Sequence, residues 1–549
     1  MHVLSAAEMQ ACDRATTERF GIPSLQLMRS AAAAVAAFAR EHFPQARRVT
    51  VLCGRGNNGG DGMMAARLLA SAGLEVTTLL LGSPEGLKGD AAVAWQELAS
   101  PPCGLIHVIH WADELDRHTT ALSADLIVDA VLGTGFKPPL EGLALKAQQW
   151  IQGSHAPVLA VDLPSGWPAD DTAATPSGAA FPADAVITFT APKPAHVFGQ
   201  LTRRWDQPIV VAPIGSPDAA IQSTSGLHWA GSAHALTEPD RPAASNKGNF
   251  GHVLVVGGSL GSAGGKSGAP SMTSVGALRA GAGLVTAAVP WPAAPLVAAV
   301  APELMTLPLQ ANAAGQISAD NLAPDQIAAL TKGITVLAIG PGLGQSADTI
   351  KFTTGLLSAT KMPAVIDADA LNILAAKPVL LSKLSRGRTL VLTPHPGEMA
   401  RLTGATIAEV QADRLEAARS FAQRTGVTLV LKGARTLIAH PDGRVAVNTT
   451  GNPAMAKGGS GDLLTGVVAA LLAQYPCDPA RAVEAAVYLH GLAADLAVRQ
   501  ADQHTLLATD SLAQFFRAFR FRSRGDYGYV WLQGLPAQCA GPAAHEARP

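Results

Sequence analysis

The chain has 549 residues, too many for one ordinary hydrophobic core, so two domains are expected. Hydrophobic residues make up 48% and charged residues only 15%, which excludes a disordered chain. Lys plus Arg number 41 against 42 Asp plus Glu, a net charge of −1, and aromatics are only 5%; this excludes nucleic acid as a partner and leaves small-molecule substrates.

The cysteines Cys12, Cys53, Cys103, Cys477 and Cys539 are odd in number and scattered, with no C-x-x-C, so they indicate neither a disulfide framework nor a zinc site. Glu8 and Asp13 stand where a signal peptide would be basic. The apolar stretch Ala31 to Ala39 is far below the ~20 residues of a membrane span. No membrane association and a cytoplasmic location are expected.

In chain order, residues 5–19 and 24–42 read as helices parted by Gly21-Ile22-Pro23. A β/α alternation then starts with the strand Val49 to Gly54, the run Arg55 to Gly62, and a helix from Met63 to Ser71. Further strands are expected at Glu75 to Leu81, Ile106 to His110, Leu126 to Val131, Val158 to Asp162, Val186 to Thr190 and Ile209 to Ala212. Short apolar strands separated by helices predict a doubly wound, Rossmann-like parallel sheet, in which ligands gather at the strand C-termini. Four unusual segments fall there: Asn57-Asn58-Gly59-Gly60-Asp61, Asp129 to Lys137, Asp162 to Gly166 and Ala191-Pro192-Lys193-Pro194. Each alone reads as turn punctuation; their convergence on one rim points to a site.

N-N-G-G-D-G, V-D-A-x-x-G-T-G and D-x-P-S-G, in this order, resemble the NAD(P)H-hydrate epimerase domain, also called the YjeF N-terminal domain. The resemblance implies hydrate contacts at Asn57, Asn58, Gly59, Gly60 and Asp61, at Gly133, Thr134, Gly135, Phe136, Lys137, Pro138 and Pro139, and at Asp162, the candidate proton-transfer group. It also implies a potassium site at Asn58, Asp129 and Ser165, an oxygen-rich set that suits a hard monovalent cation.

From Pro213 to Asn246 the periodicity fails, and a connector is expected with a boundary near Ser225 (domains 1–224 and 225–520), Leu227 to Leu236 being a possible short element. A second β/α series follows, with strands at Val253 to Val256, Leu284 to Val289, Val336 to Ile339, Ala364 to Asp367, Leu390 to Leu392, Thr428 to Leu431, Thr436 to Ala439 and Val445 to Asn448. Helices are expected at Met272 to Ala280 and at about 347–359, 407–425, 461–474, 479–500 and 508–519. Phe521 to Pro549 is expected to be a tail, disordered over Pro542 to Pro549.

Lys457-Gly458-Gly459-Ser460-Gly461-Asp462 precedes the apolar run Leu463 to Leu472, the pattern of a Gly-rich turn opening a buried helix. Its N–H groups and the helix dipole suit a phosphate, and Asp462 would sit beside it as a base. The other chemistry-bearing segments are Gly340-Pro341-Gly342-Leu343-Gly344, Asp367 to Asn372, Thr393-Pro394-His395-Pro396-Gly397-Glu398 and Lys432-Gly433-Ala434-Arg435-Thr436. K-G-x-x-G, G-P-G-L-G, T-P-H-P-G-E, L-K-G-x-x-T and G-G-S-G-D together resemble the ADP-dependent NAD(P)H-hydrate dehydratase domain, which is ribokinase-like. The resemblance implies hydrate contacts at Ala269, Gly342, His395 and Asp462, and nucleotide contacts at Lys432, Gly433, Ala434, Arg435, Thr436 and Gly461. It further implies ADP as co-substrate, Mg2+ in this domain, K+ in the first, and a homo-oligomer. The glycine-rich stretch Ser262 to Ser267 departs from the family by its length.

Two alternatives remain open at this point. The second domain's cradle and aspartate also suit a kinase for a vitamin or sugar hydroxyl, and the first domain also reads as a non-catalytic binding module.

Overall fold

The computed structural model describes residues 1–101, 104–262, 264–525 and 528–536. Cys103, Cys539 and the stretch Pro542 to Pro549 lie outside the described residues. The chain forms two compact units, Met1–Leu227 with Arg522–Pro549, and His228–Phe521.

The first unit is built on β1 (Arg48–Cys53), β2 (Glu75–Leu81), β3 (Leu105–Ile109), β4 (Leu126–Ala130), β5 (Val158–Val161), β6 (Ala185–Phe189) and β7 (Ile209–Ala212). These pair in parallel in the order β7-β6-β5-β4-β1-β2-β3. Alternation along the strands sorts side chains onto two cores. Val49, Val51 and Cys53 of β1 join the helix Ser24–His42 on one face, whereas Leu52 packs with Ile127, Trp150 and Phe181 on the other.

Two expectations need correction here. The helix expected from Met63 begins at Asn57, so N-N-G-G-D-G forms its first turns. Glycine makes this possible: a Cβ on Gly59 would stand 1.9 Å from the Gly54 carbonyl oxygen. The short element expected within Leu227 to Leu236 is present as the strand Leu227–Trp229, which joins the second sheet. The segment expected as a C-terminal tail returns to the first unit, where its strand Val530–Gln533 pairs antiparallel with β7. Tyr529 and Trp531 bury against Phe38, and the Tyr529 hydroxyl donates to the Ala34 carbonyl at 3.1 Å. An antiparallel closing strand carries no helical crossover, so the β/α rhythm gives no sign of it.

The second unit contains β8 (Leu227–Trp229, from His228), β9 (His252–Val256), a small hairpin of β10 (Leu260–Gly261) and β11 (Gly264–Gly265), β12 (Leu284–Pro290) and β13 (Met305–Leu309). They are followed by β14 (Val336–Ile339), β15 (Ala364–Ile366), β16 (Leu390–Leu392), β17 (Thr428–Leu431), β18 (Leu437–Ala439) and β19 (Val445–Val447). The large sheet runs β13-β12-β9-β14-β15-β16-β17-β18-β19-β8, parallel through β17 and antiparallel from β17 to β19. β13 was not expected, because its residues are half-exposed and Pro308 interrupts the apolar run. The helix expected over 407–425 divides at Asp413, whose side chain caps the second piece, Arg414–Thr425. The helix expected over 508–519 is a 3-10 turn, Ala508–Gln514, followed by Phe515–Arg520. The helix Ser460–Gln474 packs on Gly268–Arg279, and eleven of its fifteen residues are buried, as the apolar run requires.

Candidate functional sites

In the first unit the strand C-termini frame a cavity of about 1080 Å³, ample for a dinucleotide-sized ligand. Asn57, Asn58, Asp61, Gly133, Thr134, Gly135, Phe136, Asp162 and Lys193 line it, so all four rim segments contribute residues to one cavity. Gly59 and Gly60 are buried in the helix packing; Lys137, Pro138 and Pro139 are not among the lining residues.

Asp162 is the hub. Its Oδ1 accepts from Lys193 Nζ and Thr188 Oγ1, both at 2.8 Å, and its Oδ2 accepts from the Thr134 amide at 3.1 Å. Burial opposes its charge, but the Lys193 ammonium and these hydrogen bonds outweigh burial and hold the carboxyl below its ordinary range. Its backbone is fixed too. His196 Nδ1 accepts from the Lys193 amide at 3.0 Å, so Nε2 carries the proton and donates to the Asp162 carbonyl at 2.7 Å. Burial lowers the His196 pKa to about 4, keeping that imidazole neutral. Asp61 is opposite in character. Burial and then the charges of Asp162 and Asp13 push its carboxyl well above the ordinary value. Lys193 was legible within one of the rim segments, His196 was not, and nothing in the sequence assigns either to Asp162.

Behind this rim lies a fully buried carboxylate, Asp129. Ser165 Oγ donates to its Oδ1 at 2.6 Å, and the Ser165 amide donates to Oδ2 at 2.8 Å. Burial raises its pKa to about 6. No Lys or Arg pairs with Asp129 among the described residues. Asn58 approaches from the helix start, with its Nδ2 buried and without a partner; a Cβ on Gly133 would stand 3.2 Å from Asn58 Cγ and 3.0 Å from Asp162 Oδ2.

In the second unit Gly459, with φ 97°, caps the helix that Asp462 enters in its first turn. Its left-handed φ favours glycine, and a Cβ there would displace the end of the Met272 side chain, whose Sδ would stand 2.4 Å away. Gly461 lies against Lys432 and Asp367: a Cβ there would be 3.3 Å from Lys432 Nζ and 3.9 Å from Asp367 Oδ2. Gly342 lies against Ala269, its Cβ position 3.3 Å from that methyl. The hydrate and nucleotide sets implied by the sequence thus share a neighbourhood at Lys432, Gly461 and Asp462 and at Ala269 and Gly342.

Lys432 is not a free phosphate cation. Its Nζ donates to Asp367 Oδ1 at 3.0 Å and stands 3.8 Å from Glu398 Oε2. Burial opposes the Lys432 charge, but Asp367 and Glu398 outweigh burial and raise its pKa. Asp367 also accepts from Thr393 Oγ1 at 2.8 Å and Thr465 Oγ1 at 2.9 Å, tying three strands' ends to the helix. Asp462, by contrast, makes no side-chain hydrogen bond among the described residues. Burial and then the Asp367 charge raise its pKa to about 6, with Lys432 and Lys266 partly offsetting. His395 uses Nδ1 to accept from the Gly397 and Glu398 amides, capping the helix Pro396–Thr403, and leaves a half-exposed ring edge. Arg435, with φ 54°, donates to the Thr449 carbonyl at 3.2 Å; burial lowers its pKa to about 10. Gly433, Ala434 and Thr436 complete that loop, and Arg414 holds it from below by donating to the Ala434 and Leu431 carbonyls. Arg414 is a structural partner that the sequence did not single out, and Asp367, flagged within its segment, was not assigned to Lys432.

A doubly wound sheet with a carboxylate-and-amide cavity, followed by a second sheet with a Gly-rich helix start and a free aspartate, defines a two-site α/β enzyme that handles nucleotides. Two family profiles match: one described as YjeF-related protein N-terminus, over residues 24–195, and one described as NAD(P)H-hydrate dehydratase, over residues 253–515. The chain is 42% identical over 521 residues to the bifunctional NAD(P)H-hydrate repair enzyme Nnr of Moorella thermoacetica, covering 93% of this chain and 95% of that protein. It is 38% identical to the enzyme of the same name from Escherichia coli, covering 92% and 91%. A solved ADP/ATP-dependent NAD(P)H-hydrate dehydratase from Bacillus subtilis, co-crystallised with ATP and Mg2+, is 32% identical, with a TM-score of 0.45 over 55% of this chain and 99% of that one. The chain belongs to the family of bifunctional NAD(P)H-hydrate repair enzymes.

Proposed function

We propose that the first unit interconverts the R and S forms of hydrated NADH and NADPH, and that the second dehydrates the S form at the expense of ADP, giving NAD(P)H, AMP and phosphate. The observation that carries the second half is Asp462: an unpartnered carboxylate, raised to about 6, in the first turn of a buried helix beside Gly461 and Lys432. Hydroxide leaves poorly at neutral pH. Asp462 removes the proton of the C6 hydroxyl, whose oxygen attacks the terminal phosphorus of ADP and displaces AMP. The Ser460 to Asp462 amides and the helix dipole offset the charge that develops on the transferred group. Phosphate then departs from C6, pushed by the ring nitrogen lone pair, and loss of a C5 proton restores the reduced nicotinamide. The carboxylates Asp462, Asp367 and Glu398 outnumber the cations that act on them, Lys432 and, toward Asp462, Lys266, so a divalent ion entering with the nucleotide phosphates fits. Mg2+ would supply phosphate charge neutralisation there, held chiefly by the nucleotide phosphates with Asp367 and Glu398 close by.

In the first unit Asp162, favoured in its ionised form by Lys193, and Asp61, whose carboxyl burial raises well above its ordinary value, give one cavity two carboxyls pushed in opposite directions, suited to accepting and donating a proton. Asp129, a buried carboxylate with no cationic side chain among the described residues, together with the Ser165 hydroxyl and the Asn58 side-chain oxygen, makes an oxygen set that fits a potassium ion. Bound there, K+ would pin three strand-end loops around the cavity. We further take the protein to be a cytoplasmic homo-oligomer; no described helix is long and apolar enough to cross a membrane.

The dehydration route is tested with a hydrate carrying ¹⁸O in its C6 hydroxyl. The label should appear in inorganic phosphate. Label recovered in water would refute transfer through Asp462, and a stable phosphorylated product would mark a kinase instead.

A further inference from the structure

Away from both sites, three side chains from separate elements of the second unit meet at one point. His228 lies on β8, and His440 follows β18 in the tight turn to β19, where the Gly443 amide donates to its carbonyl. Glu484 lies on the helix Pro479–Val498. The Nε2 atoms of both histidines stand 2.8 Å from the same oxygen, Glu484 Oε1, and the three atoms lie within 4.8 Å of one another. The rings are nearly parallel, 17° apart, and face the carboxylate from two sides. Side-chain exposure is 2% for His440 and Glu484 and 14% for His228.

The charge balance of this cluster is incomplete. A buried carboxylate requires a compensating positive charge. Glu484 has none from Lys or Arg among the described residues; its partners are the two imidazoles alone. Neutral imidazoles donate hydrogen bonds but bring no charge. Meanwhile His440 Nδ1 is buried and makes no hydrogen bond, so only Glu484 itself holds the proton on Nε2. That proton can pass to Nδ1, turning the Nε2 lone pair toward Glu484.

We propose that His228, His440 and Glu484 form a binding site for one divalent transition-metal ion of the zinc class. Two imidazole nitrogens and one carboxylate oxygen are the donor set that such ions take with three protein ligands, leaving a fourth position for water. The side of His228 that reaches the surface supplies that position. A tetrahedral ion with bonds of ~2.0–2.1 Å needs ligand atoms ~3.3 Å apart, so the 2.8 Å contacts open by only about 0.5 Å. No proton is released if both imidazoles are neutral; each simply moves its proton to Nδ1. The ion would clamp the edge strand β8 to the β18–β19 hairpin and to the helix, a structural role separate from either reaction.

The test uses the full, untagged chain, stripped with a chelator, titrated with Zn2+ and Co2+, desalted and assayed for bound metal. The expected result is one equivalent per chain, with a Co2+ ligand-field spectrum of a four-coordinate nitrogen–oxygen site. His228→Gln, the variant least disruptive to the core, should bind at least roughly 100-fold more weakly, since loss of an outer-shell partner alone costs 10–100-fold. Glu484→Gln should do the same. Less than a tenth of an equivalent on the wild type overturns the proposal, because the cluster then satisfies its charge with a proton. Equal uptake by His228→Gln also overturns it, because the metal is then held elsewhere. Should Glu484→Gln fail to fold, the wild-type stoichiometry and Co2+ spectrum still decide.

Discussion

Replacing Asp462 by Asn should abolish dehydration and stabilise the second unit, with the stability effect confined to one pH window. The carboxyl ionises near 6 in the folded protein against 3.8 as an ordinary aspartate, because burial and then Asp367 disfavour its charge. A carboxyl whose folded pKa is raised contributes stability that is fully present below the unfolded value and lost as pH rises through the folded one. The shift of about 2 units, at 1.36 kcal/mol each, costs the wild type ~3 kcal/mol above pH 6. Residual solvent contact and the amide's own desolvation reduce the gain from Asn to ~1–2 kcal/mol. Urea titrations at pH 4 and pH 8, following the transition that ADP shifts, measure it. The variant should be more stable at pH 8 and match the wild type at pH 4, while turnover falls by ~10²–10⁴-fold. Equal midpoints at pH 8, or an advantage that persists at pH 4, would refute the assignment of a strained, functional carboxylate.

Three further outcomes are expected. Lys193→Met should cut epimerisation at least roughly 100-fold and destabilise the first unit by ~3–5 kcal/mol by leaving Asp162 unpaired; adding Asp162→Asn should restore stability but not activity, as unfolding and epimer ratios will show. Potassium should activate epimerisation about tenfold less effectively at pH 5 than at pH 7.5, since the Asp129 carboxyl, raised to about 6 by burial, must lose its proton to hold the ion; titration of K+ against Na+ at constant ionic strength checks this, and a pH-independent midpoint counts against the site. Trp531→Ala should lower the stability of the first unit by ~3 kcal/mol, measured by denaturation, because the side chain is 6% exposed against Phe38; an effect under ~0.5 kcal/mol would mean that the closing strand is dispensable.

The β/α rhythm made both parallel sheets legible, because buried parallel strands read as short apolar runs between helices. The site motifs were legible for a related reason: Gly59, Gly133 and Gly459 stand where a Cβ would collide with backbone or side chains, and such glycines leave a pattern. What stayed hidden depends on long-range pairing. Val530–Gln533 pairs with a strand more than 300 residues earlier, and no local period announces that. The Lys193–Asp162 and Lys432–Asp367 pairs span 31 and 65 residues; each residue lay in a flagged segment, but only the fold shows that the lysines neutralise carboxylates before they meet any phosphate. His228, His440 and Glu484 lie in three unremarkable contexts and become a cluster only in space. A chain cut near Pro213 would therefore lack the strand that covers β7, so the first unit is better tested in the whole protein.

The most direct test of two cooperating activities is to incubate the protein with a mixture of both hydrated NADH epimers and follow absorbance at the reduced-nicotinamide band after ADP is added. The account predicts ADP-dependent recovery that consumes both epimers in the wild type, stops after the S form in Asp162→Asn, and does not occur in Asp462→Asn. Recovery without ADP, or consumption of both epimers by Asp162→Asn beyond the spontaneous rate, would contradict it.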